Sequence, residues 1–277
     1  MVDAPKISVI MSTFNPKELE LRRSVQSIIE QSYTFWELLI YDDGSDSEGR
    51  EIIEQITELD KRIRYLRGDS NRGIAVGLNE CIKESKGEYI ARMDDDDICL
   101  PKRLERQIDF LQNHDNYQWV GVLADLFDEN GVWGRADRPE KPESKHFFHS
   151  SPFIHPSVMF RQEVLVSIGG YSASRTTSRC EDYELFMRLY AQGYKGYNLQ
   201  EVLFQYQEES MVLRRSWKYC YYEALVRLHG FKKLGILSFK TFPYVLKPLA
   251  VRTLALFPRL AQRIRVKRNK GDHIVAE

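Results

Sequence analysis

The feature that most constrains this chain is the stretch Gly87-Glu88-Tyr89-Ile90-Ala91-Arg92-Met93-Asp94-Asp95-Asp96-Asp97-Ile98, where an apolar run stops at four consecutive aspartates. Tyr89 to Met93 reads as a buried strand, and Pro101 opens an amphipathic helix through Leu104, Ile108 and Leu111. The block of negative charge thus falls at a strand's C-terminal end, where the loops of an α/β sheet converge on a crevice that takes ligands. Four adjacent carboxylates repel one another, so keeping them beside a crevice calls for a cation. Oxygen-only ligands suit a hard ion, Mg²⁺ or Mn²⁺. The plainer alternative is a solvated acidic turn that caps the next helix, with Asp97 or Cys99 near its start.

The preceding residues place that stretch in a repeating pattern. Lys6 to Met11 is a short β-rich run, and Ser12-Thr13-Phe14-Asn15-Pro16 is a polar loop into a helix carrying Leu21, Val25, Ile28 and Ile29. Trp36 to Tyr41 is a second strand ending in the turn Asp42-Asp43-Gly44-Ser45; a helix from Glu48 to Leu59 and a strand from Ile63 to Leu66 follow. A third crossover starts at Asn71-Arg72-Gly73, whose glycine permits close backbone approach, with a helix from Ala75 to Glu84. This βαβαβ rhythm predicts an α/β fold with a mostly parallel, Rossmann-like sheet flanked by helices. Loops after the strands then bring Thr13, Asn15, Asp42, Asp43 and Arg72 to one edge. A Gly-x-Gly-x-x-Gly turn and a phosphate loop of the Gly-x-x-x-x-Gly-Lys-Ser/Thr type are both missing, so a nucleotide has to be held in another way.

At 277 residues, 43% hydrophobic and 29% charged, the chain can bury a full core. Cys81, Cys99, Cys180 and Cys220 show no paired metal-ligand spacing and suit reduced thiols in a cytosolic protein. The N-terminus lacks the basic and apolar regions of a signal peptide, and no apolar run approaches about 18 residues, so no membrane span is expected. The net charge of zero hides an asymmetry. From Ala224 onward there are 12 Lys plus Arg against 2 acids.

These motifs, in this order and spacing, resemble the family 2 glycosyltransferases of GT-A fold, of the kind found in bacterial exopolysaccharide and capsule operons. The resemblance rests on Ile7 to Asn15, Asp42 to Ser45, Asn71-Arg72-Gly73 and Met93 to Asp97. It continues through His155-Pro156-Ser157, Gly169-Gly170-Tyr171 and Cys180-Glu181-Asp182-Tyr183-Glu184-Leu185, covering about Lys6 to Tyr206. It implies an inverting, metal-dependent transfer of a sugar from a nucleotide-diphosphate sugar, a UDP-sugar foremost, to a lipid-linked saccharide.

The same resemblance implies roles. Asp42 and Asp43 match a pair of which one accepts the N3–H of the base, as a carboxylate does naturally. Thr13, Asn15, Arg72, Asp94 and Asp95 would line the donor. Asp94-Asp95-Asp96 matches the family's Asp-x-Asp motif, which often has a small residue where Asp95 stands, so the metal ligands stay open among Asp94, Asp96 and Asp97. Asp182 would be the base that takes the acceptor's proton, with Glu181 beside it holding nearby groups. Without the resemblance, both acids read as first-turn residues that stabilise a helix through its dipole. His155 is implied on the acceptor side, and the charged stretch Arg135 to Lys145, with two prolines, is expected to be a mobile loop near the acceptor's entrance.

Residues 1–215 read as the catalytic domain and 216–277 as a helical, basic, amphipathic extension. Tyr219 to His229 is an aromatic helix. Phe239 to Ile264 alternates Val245, Leu246, Leu249, Leu254, Phe257, Leu260 and Ile264 with Lys247, Arg252, Arg259 and Arg263, and Arg265, Lys267, Arg268 and Lys270 follow. That pattern suits an anionic membrane surface and a peripheral location on the cytoplasmic face, with other polysaccharide-assembly proteins as possible partners. An ordinary helix packed on its own domain is the alternative. No reader of nucleic-acid bases is recognisable. The stretch Leu213 to Lys218 lacks the glutamine of the Gln-x-x-Arg-Trp motif carried by processive relatives, which points to one sugar per encounter. Two other functions stay open: a non-catalytic domain binding a nucleotide sugar or protein at the membrane, and a sugar nucleotidyltransferase, whose glycine-rich loop Ser12 to Pro16 does not supply.

Overall fold

The computed structural model describes residues 6–208 and 216–254. The first half follows the expected rhythm: β1 (Ile7–Thr13), α1 (Glu18–Ile29), β2 (Trp36–Asp42), α2 (Ser47–Thr57), β3 (Ile63–Arg67), α3 (Ile74–Glu84) and β4 (Tyr89–Arg92). Every residue of β2 and β4 is buried, as expected of parallel strands covered on both faces. In β1, Ile7, Val9 and Met11 pack with α1, α2 and the helix α4 (Arg103–Asn113), whereas Ile10 packs with α3 on the opposite face.

Beyond β4 the sheet is mixed. The strands run in the order β3-β2-β1-β4-β8-β6-β9-β5, with β8 (Met159–Arg161), β6 (Trp119–Asp128), β9 (Gly196–Gln207) and the two-residue β5 (Ile98–Cys99). β8 is antiparallel to both β4 and β6, β9 is parallel to β6, and β5 is antiparallel to β9. β7 (Gly131–Ala136) pairs with β6 as a hairpin; Gly131 takes the left-handed φ of 110° at its tip. Parallel pairing thus holds for the N-terminal half, and β5 and β9 are strands that local sequence does not announce. β5 follows the acids directly and pairs with the far end of the sheet, so the acidic loop bridges the two halves.

Helices α5 (Gln162–Ser167), α6 (Glu181–Ala191), α7 (Trp217–Lys233) and α8 (Phe242–Leu254) lie on the α3 face. Val226 and Phe231 of α7 and Val245 of α8 are buried in the same core as Phe186 and Leu189 of α6. Gly230 sits where a Cβ would meet Met187 Sδ at 2.3 Å, so α7 approaches α6 closely. The expected separation of bases from apolar residues does not hold along α8. Val245 and Pro248 are buried, while Phe242, Leu246 and Val251 face outward. Residues 209–215 and 255–277, and with them Leu213 to Arg215 and the bases from Arg259 onward, lie outside the described residues. Among the described residues, no helix is long and apolar enough to cross a membrane.

Candidate active site

The site forms where β1, β2 and β4 end side by side, Thr13 in register with Asp42 and Ile10 with Arg92. Three elements hold the loop of aspartates. From α1, Ser24 Oγ donates to the Asp94 carbonyl at 2.7 Å and Arg23 Nη2 to the Asp96 carbonyl at 2.8 Å. From β1, the Thr13 hydroxyl donates to the Asp95 carboxylate. From β9, the Gln207 N–H donates to Asp97 Oδ1 at 2.8 Å. The charge block is therefore a built site and not a solvated turn. Asp97 is fully buried, and the helix after it starts only at Arg103.

Asp94, Asp96 and Asp97 each present an oxygen, all within 4.8 Å of one another. Asp95 stands apart from this triad through its bond to Thr13. Burial, then the charge of Asp94 and of Asp95, pushes Asp96 up to about 7; burial lifts Asp95 to about 6, and Asp97 lies well above the carboxylate range. Asp97 Oδ2 is buried without a hydrogen-bond partner. A divalent ion fits these residues: three convergent carboxylate oxygens, one of them unsatisfied, form a hard donor set that gains its charged form when a cation arrives.

Arg92 is the residue that reading the sequence missed. It is 2% exposed, pairs with Asp94, and leaves Nε and Nη1 without partners. An arginine inside an apolar strand just before an acidic run was the available signal, because such a cation needs counter-charge. Its side chain projects on the α6 face, where its charge also acts on Glu181, Tyr171 and His155.

Glu181 and Asp182 open α6. Arg179, just before them, takes a φ of 64°, a left-handed conformation that a residue with a Cβ seldom adopts. Glu181 is raised to about 7 by burial and then by Asp182, and its Oε2 has no hydrogen-bond partner. The Gly169-Gly170-Tyr171 motif has a structural reason. Gly170 has φ 68° and a Cβ there would meet Asn79 Oδ1 at 2.3 Å; Asn79 in turn makes two 2.8 Å bonds with the Tyr171 backbone. Arg188 of α6 donates to the carbonyls of Ile168 and Gly170, each at 2.7 Å. Tyr171 is thereby fixed with its hydroxyl 2.7 Å from His155 Nε2. Burial, then Arg92, holds His155 well below its ordinary pKa, so it is neutral and packed against Tyr171 and Phe186.

The buried Tyr171 and the half-buried Tyr206 are common neighbours of the acid groups. Tyr171 lies within the fields of Asp182, Glu181 and Asp94, and Tyr206, near the end of β9, within those of Asp94, Asp97 and Asp182. The acids of β4's loop and of α6, some 85 residues apart in sequence, thus act on the same two tyrosines.

The other candidates sit differently. Asp42 spends its carboxylate on the turn: Oδ1 accepts from Ser45 N at 2.7 Å, and Oδ2 from Tyr65 at 2.9 Å and Arg67 at 3.0 Å. Asp43 accepts from the N–H groups of Arg72 and Gly73 at 3.0 and 2.7 Å, fixing the start of α3. Asn15, at φ 47°, receives the Asp46 N–H and joins the β1 and β2 loops. Arg72 has a half-exposed side chain 3.6 Å from Glu80, and the structure does not bring it to the aspartates. The loop expected to be mobile is pinned. Asn198 Nδ2 donates to the carbonyls of Pro139 and Pro152, and Tyr190 to that of Pro142.

Residues 8–177 match the model of the family described as Glycosyl transferase family 2. The chain is 38% identical over 251 residues to the glycosyltransferase-family protein EpsE of Bacillus subtilis (strain 168), covering 90% of each. It is 31% identical over 246 residues to the O-antigen biosynthesis glycosyltransferase WbnJ of Escherichia coli, covering 86% of this chain and 94% of that one. Its fold matches the mannosyltransferase PcManGT of Pyrobaculum calidifontis, solved with GDP-Man and Mn²⁺. The TM-score is 0.62 at 16% identity, over 100% of this chain and 77% of the other. That likeness is one of fold, and with it the architecture is GT-A. On the family match and these identities, the chain belongs to glycosyl transferase family 2.

Proposed function

We propose that the protein is an inverting, metal-dependent glycosyltransferase that moves a sugar from a nucleotide-diphosphate sugar, a UDP-sugar foremost, to a lipid-linked saccharide in bacterial exopolysaccharide or capsule assembly. What supports this reading most is the shared reach of Asp94 and Asp182 on Tyr171 and Tyr206, because transfer needs a cation site and a proton acceptor on one pocket. The biosynthetic setting is supported by the likeness to WbnJ, an O-antigen biosynthesis glycosyltransferase, and the need for a donor and divalent ion by the ligands of PcManGT.

Asp94, Asp96 and Asp97 would hold Mg²⁺ or Mn²⁺, which when bound supplies Lewis-acid stabilisation of charge gathering on the leaving diphosphate. Thr13 keeps Asp95 turned from that set, toward the donor side. Asp42 and Asp43 shape the base pocket by fixing the two loops around it, and the remaining lone pairs of Asp43 suit a base N–H. Asn15 and Arg72 border the same pocket from the loops they anchor. Asp182 accepts the proton as the acceptor oxygen bonds to the anomeric carbon and the carbon–oxygen bond to the diphosphate breaks. Glu181 and neutral His155 line the acceptor side. The basic residues beyond α8 would hold the protein to the inner face of the cell membrane, beside other assembly proteins.

The test is a screen of UDP- and GDP-sugars for release of nucleoside diphosphate with Mn²⁺, Mg²⁺ or EDTA, followed by the anomeric configuration of the product by NMR. Metal-dependent release with inverted configuration is expected. Release unaffected by EDTA, or a retained configuration, removes the proposed chemistry.

A further inference from the structure

We propose that the cleft formed by residues 137–152 binds the diphosphate of a prenyl-linked acceptor, an inference that rests on the acceptor class proposed above. The cleft encloses about 450 Å³, within the range of small-molecule sites, and is lined by Arg138, Lys145, His146, His149, Ser150 and Ser151. Its donors are available. Arg138 Nη1 donates to the Asp137 carbonyl at 2.8 Å while its buried Nε has no partner. His146 Nδ1 accepts the Glu143 N–H at 2.8 Å, which leaves the proton on Nε2 to be donated outward. Lys145 pairs with Glu143 at 2.9 Å, but both side chains are 64% exposed, and so open a pair yields readily to a diphosphate. Lys247 and Arg227 add positive field at His149. The Asp137 carboxylate is the opposing charge in the lining, and Arg138 lies beside it. Guanidinium, ammonium, imidazole and hydroxyl donors around one cleft suit phosphate oxygens.

The cleft stands in the correct relation to the reaction. Arg138 and Asp182 each interact electrostatically with Tyr206, near the end of β9. On its other side lies α8, where Tyr244 stacks on Phe148 and Lys247 donates to the His149 carbonyl at 2.8 Å. The outer surface of α8 is apolar. Phe242, Leu246 and Val251 are exposed, and Phe239 just before the helix is 98% exposed. A cationic cleft next to an apolar ridge complements an amphiphile with an anionic head and a hydrocarbon tail. A free anion has no use for the ridge.

Calorimetry of the full chain in EDTA, which keeps divalent ions from drawing diphosphate to the aspartates, tests this with inorganic pyrophosphate and farnesyl diphosphate as probes. Farnesyl diphosphate should bind at least about tenfold more tightly than pyrophosphate. Lys145→Ala with His146→Ala should weaken both by about tenfold or more, and Leu246→Ser with Val251→Ser should weaken only the farnesyl compound. Lys145→Glu, a surface change, replaces the first pair if that pair unfolds. Equal affinity for the two probes, no binding of either, or unchanged affinity in the charge variants overturns the inference. Wild-type protein that releases nucleoside diphosphate from its donor with Mn²⁺ but ignores farnesyl diphosphate would sink this inference alone. Farnesyl binding without donor cleavage would sink the reading beneath it.

Discussion

At the scale of single residues, the proposed chemistry turns on carboxylates whose surroundings push them in different ways. Asp182→Asn should leave nucleotide affinity unchanged and lower transfer by about 10²–10⁴-fold, the usual share of a general base; turnover at the wild-type rate would remove Asp182 from that role. Asp96 carries a second prediction with a definite sign. Its pKa of about 7 in the folded protein exceeds the 3.8 of an unperturbed Asp, so between these values the folded state binds the extra proton and stability falls as pH rises. In EDTA, Asp96→Asn should therefore raise Tm at pH 8, by on the order of 5 °C, and change it little near pH 4, where the native carboxyl is already neutral. Added Mn²⁺ should stabilise the wild type at pH 8 and the variant much less. Equal Tm shifts at both pH values would show that Asp96 carries no such burden. The four aspartates could be read as a cation site from adjacency alone, because repulsion between neighbouring carboxylates follows from their order in the chain. Which of them converge could not be read: Thr13 removes Asp95 and Gln207 orients Asp97, and both partners come from far along the sequence. Arg92 was visible as a letter and not as a role, since its burial beside Asp94 and its influence on Glu181, Tyr171 and His155 arise only when the chain folds.

At the scale of elements, period and punctuation were enough for β1 through β4, the helices between them and α4. β1, β2 and β4 are buried on both faces and those helices are amphipathic, so local pattern and tertiary demand agree. β5 and β9 were not legible. A two-residue strand has no period, and β9 carries Asn198, Gln200, Gln205 and Gln207 among its apolar residues because much of its length borders loops and the site. Asn198 shows what that costs and gives. Its side chain is buried and joins the carbonyls of Pro139 and Pro152, which holds the stretch from Arg135 to Lys145 in place where composition alone suggested a mobile loop. Asn198→Ala should cost about 1–3 kcal/mol, the penalty for leaving buried carbonyls unpaired. It should also speed amide hydrogen exchange in residues 138–152. Unchanged exchange there would mean that the prolines and Tyr190 suffice.

At the scale of the whole molecule, residues 216–254 belong to the packed body, with Phe231 and Val245 buried against α6 and its neighbours. Phe231→Ala should lower stability by about 3–5 kcal/mol, a core-sized effect measurable by urea unfolding, and a loss under 1 kcal/mol would show that α7 docks loosely. A chain ending at Leu254 keeps that packing and removes six of the twelve bases that follow Ala224. It should bind anionic vesicles far more weakly at physiological salt, at about 1 kcal/mol per base near the surface; undiminished pelleting would transfer membrane attachment to the apolar ridge of α8. The sequence by itself determined the alternation of strands and helices, the family, and the presence of acids at strand ends, because each is a property of neighbours along the chain. Only the tertiary structure decided that the acids of β4 and α6 share Tyr171 and Tyr206 as electrostatic neighbours, and that a cationic cleft lies beside an apolar helix. Those are meetings of residues some 80 to 110 positions apart, and electrostatic coupling depends on distance through space, which no local pattern encodes.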